Sequence, residues 1–172
     1  MNQETPTVSG ADAAGTEIPN GAGVHSEIGP VRVLGVTYTH YRLGDEGDLY
    51  VTEEGAPFTD CLFPENHWLD KKWFRSNSQR LVGTSNVYRV TTKPVDGRQR
   101  EIVLKWNRMG QEIPGDEFVD AEFNSPFEEF SLVSDLKEAQ KQAGSKVILQ
   151  RPLAIYVPPT RMELWRTGRK AY

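Results

Sequence analysis

The sequence has one cysteine, no long apolar run and no excess of positive charge, and each lack excludes a class of protein. A single cysteine, Cys61, excludes an internal disulfide framework and a multi-cysteine zinc site. The longest apolar stretches span a few residues, far short of the roughly 20 that cross a bilayer. The first thirty residues have neither the basic start nor the apolar segment of a secretory signal, so a soluble cytoplasmic protein is expected. The 24 acids and 20 bases leave a net charge of −4. Met1–Gly29 alone carries that charge, through Glu4, Asp12, Glu17 and Glu27, without one Lys or Arg. The remainder is neutral and has no basic excess to neutralise phosphates, which argues against a dedicated nucleic-acid binder. The 37% hydrophobic and 10% aromatic content of the 172 residues suffices for one ordinary domain with a core.

Texture divides the chain into three. Residues 1–29 contain five glycines, no aromatic side chain and many small polar residues, and read as a disordered acidic leader. Residues 30–79 read as a β-hairpin and linker extension. Val31–Tyr41 and Leu49–Thr52 are rich in β-branched and aromatic residues, with turn material at Leu43–Gly47 between them. Phe63–Phe74 reads as a short helix or packed loop over one edge of the fold. Residues 80–172 form a third block. There, Asn86–Thr92 and Arg100–Trp106 are strand-like around the turn Lys93-Pro-Val-Asp-Gly97, and Met109–Asn124 reads as a loop.

The helix after that loop has the sharpest boundaries in the sequence. Ser125 is an N-cap, Pro126 suits the first turn, Glu128 completes a capping box, and Gly144 is a C-cap. Leu132, Leu136, Ala139 and Ala143 fall on one stripe at the helical period, which predicts that this face is buried. The stripe extends back to Glu129, a carboxylate that needs a cationic partner or a route to water. Two apolar segments follow, Val147–Val157 and Met162–Thr167. Pro152 marks the first as an edge, bent or split strand.

This order of glycine turn, hairpin, lysine, capped helix with an inward glutamate and two strands resembles the N-terminal lobe of the protein kinase-like family, in particular bacterial-type Ser/Thr protein kinases. Leu81-Val-Gly-Thr-Ser-Asn-Val-Tyr-Arg-Val90 resembles a degenerate glycine-rich loop that retains Gly83. Ile102-Val-Leu-Lys105 resembles that family's lysine-bearing strand, and Glu129 its partner on the helix. The resemblance covers about Arg80–Tyr172. It implies an α+β fold: a twisted antiparallel sheet of about five strands with one packed helix, preceded by the hairpin extension. It also implies ATP as ligand, with Lys105 on the α- and β-phosphates, Glu129 orienting Lys105, Val87 and Val103 against the adenine, and backbone amides near Gly83 capping phosphates.

Neither the H-R-D catalytic loop nor the D-F-G metal-binding motif of that family occurs in the sequence. The chain alone is therefore expected to be a pseudokinase-like lobe without catalysis, with magnesium entering only if a C-terminal lobe is supplied. The second reading comes from a different class: a non-enzymatic interaction module on the same scaffold, binding a protein partner or itself through the exposed cleft surface. Scattered His25, His40 and His67 lack metal-ligand spacing, and a Cys61–His67 nucleophile pair is less expected than a semi-buried structural thiol. Asp45, Glu46 and Asp48 read as a turn rather than a calcium loop, and the four tryptophans as core.

Overall fold

The computed structural model describes residues 17–20, 23–83, 86–107, 125–144 and 146–159. It is an α+β fold built on two antiparallel sheets. The larger has five strands in the order β1 (Glu17–Asn20), β2 (Gly23–Val33), β3 (Val36–Arg42), β4 (Asp48–Thr52) and β8 (Ala154–Val157). The smaller orders β5 (Ser78–Arg80), β6 (Asn86–Thr91) and β7 (Glu101–Trp106). Between the sheets in sequence lie the short helices α1 (Thr59–Leu62) and α2 (Lys71–Asn77), and α3 (Pro126–Ala143) precedes β8.

Alternation along the strands gives the large sheet two apolar faces. Tyr41, Leu49 and Val51 point to one side, where they meet Leu62 and Phe63 of the connector, Ile102 of the small sheet and Tyr156. Tyr38, Tyr50 and Ile155 point to the other and meet Phe127 of α3. Phe127 is fully buried, edge-on to Tyr38 at 5.7 Å and to Tyr50 at 5.4 Å. The large sheet thus carries α3 on one face and the connector, with Ile102 of the small sheet, on the other.

The connector holds the small sheet by polar contacts as well as packing. Asp70 caps α2 by accepting from the amides of Lys72 and Trp73 and pairs with Lys93 at 2.9 Å. The Trp73 indole donates to the Thr91 carbonyl at 2.8 Å, and the Lys93 amide to the Asn66 carbonyl at 2.6 Å. The inner face of the small sheet carries Tyr88 and Trp106. These pack on Phe74 and, through Trp106, on Trp68, which in turn meets Tyr156 of β8. Trp106 thus has a structural place between the sheets.

Several expectations hold. The β3–β4 and β6–β7 hairpins form at the expected turns, the latter with Asp96 and Gly97 at positive φ. The capping box of α3 is complete, and Gly144 takes the left-handed conformation at its end. β8 begins after Pro152 and is an edge strand.

Others are corrected. The disordered leader expected over residues 1–29 does not extend to its end, because Glu17–Asn20 and Gly23–Gly29 lie in strands. Glu17–Asn20 pairs with β2, β2 pairs in turn with β3, and His25 buries its ring on Phe63 at 3.9 Å. Few apolar residues suffice where a neighbouring strand supplies the hydrogen bonds. Val31–Tyr41 is two strands rather than one, because Leu34 and Gly35 both adopt positive φ and make a tight hairpin turn. The expected single sheet within residues 80–172 is divided. β8 pairs with β4 of the extension and not with the small sheet, so the boundary between 30–79 and 80–172 does not separate two sheets.

Val147–Leu153 is not a strand, and Met109–Asn124 and Met162–Thr167 lie outside the described residues. The face of α3 is also out of phase with the prediction. Leu132 and Leu136 are 62% and 55% exposed, and the half-buried stripe runs through Phe130, Val133, Lys137 and Gln140. The helix is seated by its first turns, by a hydrogen bond from Ser131 to the Leu34 carbonyl, and by an ion pair of Lys137 with Glu54. Burial of Glu54 works against its charge, but Lys137 and Arg151 together hold its carboxyl below the usual range.

Candidate functional site

The register of the small sheet decides which side chains share a surface. Val87 lies opposite Lys105 and Arg89 opposite Val103. Opposed residues of an antiparallel pair project to the same face, as do residues two apart on one strand. Val87, Arg89, Glu101, Val103 and Lys105 therefore form one surface, turned away from the aromatic packing under Tyr88 and Trp106. Burial agrees: Glu101, Val103 and Lys105 are exposed while Ile102 and Leu104 between them are half-buried. Val103 is 64% exposed, a large apolar side chain left in water.

Lys105 reaches α3 and forms an ion pair with Glu129, its Nζ donating to Oε1. The capping box at Ser125 sets the rotation of the first helical turn, and buried Phe127 fixes that turn against the large sheet, so Glu129 emerges beside the small sheet. Both groups remain partly exposed, and such a pair contributes at most about 1 kcal/mol to stability. Its effect is positional: the ammonium is held at one place over an open surface.

Four of the five expected site residues are thus brought together in two contacts: Val87, Val103 and Lys105 on one sheet face, and Glu129 on Lys105. Gly83 lies in the loop between β5 and β6 and is exposed, with no heavy atom within 4 Å of where a Cβ would sit and without a positive φ. The fold itself does not require glycine there. Sequence reasoning missed Arg89 and Glu101, which share the face and lie 3.7 Å apart. The period-2 alternation that placed Val103 beside Lys105 would have found them had the hairpin register been known.

The other candidates resolve into structure. Cys61 is buried with its thiol toward the Arg98 carbonyl, beside a hollow of about 10 Å³ that has room for a single water. His67 is buried against the Leu62 carbonyl, not against Cys61. Asp48 accepts from His40 at 2.7 Å and Arg42 at 3.4 Å within the hairpin, and Glu46 offers its carbonyl to the Tyr156 hydroxyl. Among the described residues no three His, Cys, Asp or Glu side chains are grouped to hold a metal. No described helix is long and apolar enough to cross a membrane.

Fold and site together define an α+β protein of two antiparallel sheets with an ion-paired lysine on an open sheet face. No protein-family model, curated protein or solved structure matches the chain.

Proposed function

We propose that the open face of the small sheet binds a nucleotide in the manner of a kinase N-terminal lobe, with ATP as ligand, Lys105 as phosphate contact and Glu129 as its positioning partner. Val87 and Val103 are the apolar surface for the base, and the loop at Gly83 approaches the phosphates. The observation that carries this reading is the Lys105–Glu129 ion pair. It joins residues 24 positions apart, on a strand and a helix, next to two valines of the same sheet face. A lysine fixed by a carboxylate over an apolar surface is what phosphate recognition beside a stacked base needs. Magnesium has no ligand set here among the described residues, and the reading assigns it none.

A second reading is favoured by a different observation. Val103 is more than half exposed on this face, a large apolar side chain among charged neighbours. A surface of that kind suits a protein partner, with no nucleotide. Titration with Mg-ATP, followed by tryptophan fluorescence because Trp106 adjoins Lys105, separates the two. Saturable quenching that is lost in Lys105→Met supports nucleotide binding. No response at millimolar nucleotide rejects it in favour of the interaction module.

A further inference from the structure

β7 is an edge strand: its inner side pairs with β6, and among the described residues no strand pairs with its outer side. Two backbone hydrogen bonds establish which of its groups face outward. The Thr92 amide donates to the Arg100 carbonyl at 2.8 Å, so the position just before β7 is bonded toward the β6 side. The Leu81 amide donates to the Val87 carbonyl at 2.9 Å, so odd-numbered residues of β6 bond toward β5 and even-numbered ones toward β7. Bonded positions alternate along an antiparallel ladder. With Tyr88 opposite Leu104 and Val90 opposite Ile102, the amides and carbonyls of Glu101, Val103 and Lys105 therefore point out of the sheet.

We propose that β7 is a self-pairing edge, through which two copies of the chain associate by antiparallel β7–β7 pairing about a two-fold axis at Val103. Only this register lets every outward amide and carbonyl of the three residues find its partner. Val103 exchanges both bonds with Val103 of the second copy, and Glu101 exchanges both with Lys105. The side chains are complementary in the same register: Glu101 stands opposite Lys105 of the second copy, twice, and the two exposed valines meet at the axis. Charges on an edge strand ordinarily deter pairing, and a lysine opposite a lysine would. Here each lysine meets an acid, and the two three-stranded sheets become one continuous sheet. The pairing uses the outward backbone of β7 together with the side chains of Glu101, Val103 and Lys105, and it is read by sedimentation without nucleotide.

Sedimentation velocity of the full chain, from micromolar to millimolar concentration, tests it. The expected result is a reversible shift from 19.4 kDa to twice that mass. Glu101→Lys places like charges opposite each other and is expected to weaken the dimer roughly tenfold or more. Lys105→Glu does the same from the other side, and an equimolar mixture of the two variants restores dimerisation, which also shows that both are folded. Val103→Pro removes an outward amide that no described strand uses and abolishes the dimer. A chain that stays monomeric throughout overturns the proposal, including the case where the β7 amides are protected from exchange by the chain's own residues. A dimer that survives both Glu101→Lys and Val103→Pro overturns it as well.

Discussion

His67 Nε2 lies 3.0 Å from the Leu62 carbonyl oxygen, and the other ring nitrogen, Nδ1, is buried with no hydrogen-bond partner among the described residues. Burial disfavours the imidazolium and depresses the pKa from 6.5 to about 4, against the smaller opposing effect of the Leu62 carbonyl. Between these values the unfolded chain holds the proton and the folded chain does not. Stability is therefore highest above pH 6.5, falls as pH drops through the window, and levels off for this group below about 4. The shift corresponds to roughly 3 kcal/mol in total. Urea unfolding at pH 7 and pH 5 should show the loss, and His67→Gln should remove most of the pH dependence in that interval. An unchanged slope in the variant would exclude His67 as its source.

Phe127→Ala should cost about 3–5 kcal/mol, because it empties a fully buried ring site between Tyr38 and Tyr50. The same change releases the first turn of α3 and with it Glu129. Amide exchange in residues 127–131 should accelerate well beyond the exchange in β3 and β4.

Two glycines should behave oppositely. A Cβ on Gly47 would lie 2.2 Å from the Val157 carbonyl oxygen, and its φ of 107° with ψ of −149° is a region other residues avoid. Gly47→Ala should lower stability by about 2–4 kcal/mol and loosen β8. Gly83 has open space and ordinary φ, so Gly83→Ala should leave thermal unfolding within about 0.5 kcal/mol of the parent. If the loop approaches phosphates, that same silent substitution should weaken ATP binding. Full binding in Gly83→Ala removes the loop from the proposed site.

Glu129→Gln should change stability by less than about 1 kcal/mol, since both ends of its pair are partly exposed. Its effect on nucleotide should be larger, roughly tenfold in Kd, for the loss of one positioning interaction. Calorimetric titration of parent and variant gives both affinities. Equal values would show that Lys105 does not depend on Glu129 for its placement.

Local chemistry made a large part of this protein legible. The limits of α3 follow from Ser125, Pro126, Glu128 and Gly144, and the β6–β7 hairpin from a Pro-x-Asp-Gly turn between β-rich segments, because caps and turns are decided by residues within a few positions of each other. Lys105 and Glu129 were named as partners by the resemblance to a kinase lobe, and they do meet, although the apolar stripe that set the phase of Glu129 is exposed at Leu132 and Leu136.

What the chain could not announce was which faces and edges meet. The phase of α3 was misjudged because Leu132 and Leu136 are apolar by composition, but Phe127 is the residue with a matching cavity between Tyr38 and Tyr50. Glu17–Asn20 and Gly23–Gly29 have too little apolar surface to predict strands, and become so because β3 pairs with β2 and β2 with β1. The sequence by itself determined the limits of α3 and the turns of the β3–β4 and β6–β7 hairpins. Only the tertiary structure decided that β8 joins β4, leaving β7 paired with β6 alone among the described strands, because strand pairing between distant segments is settled by the packing of whole layers, not by the residues of either strand.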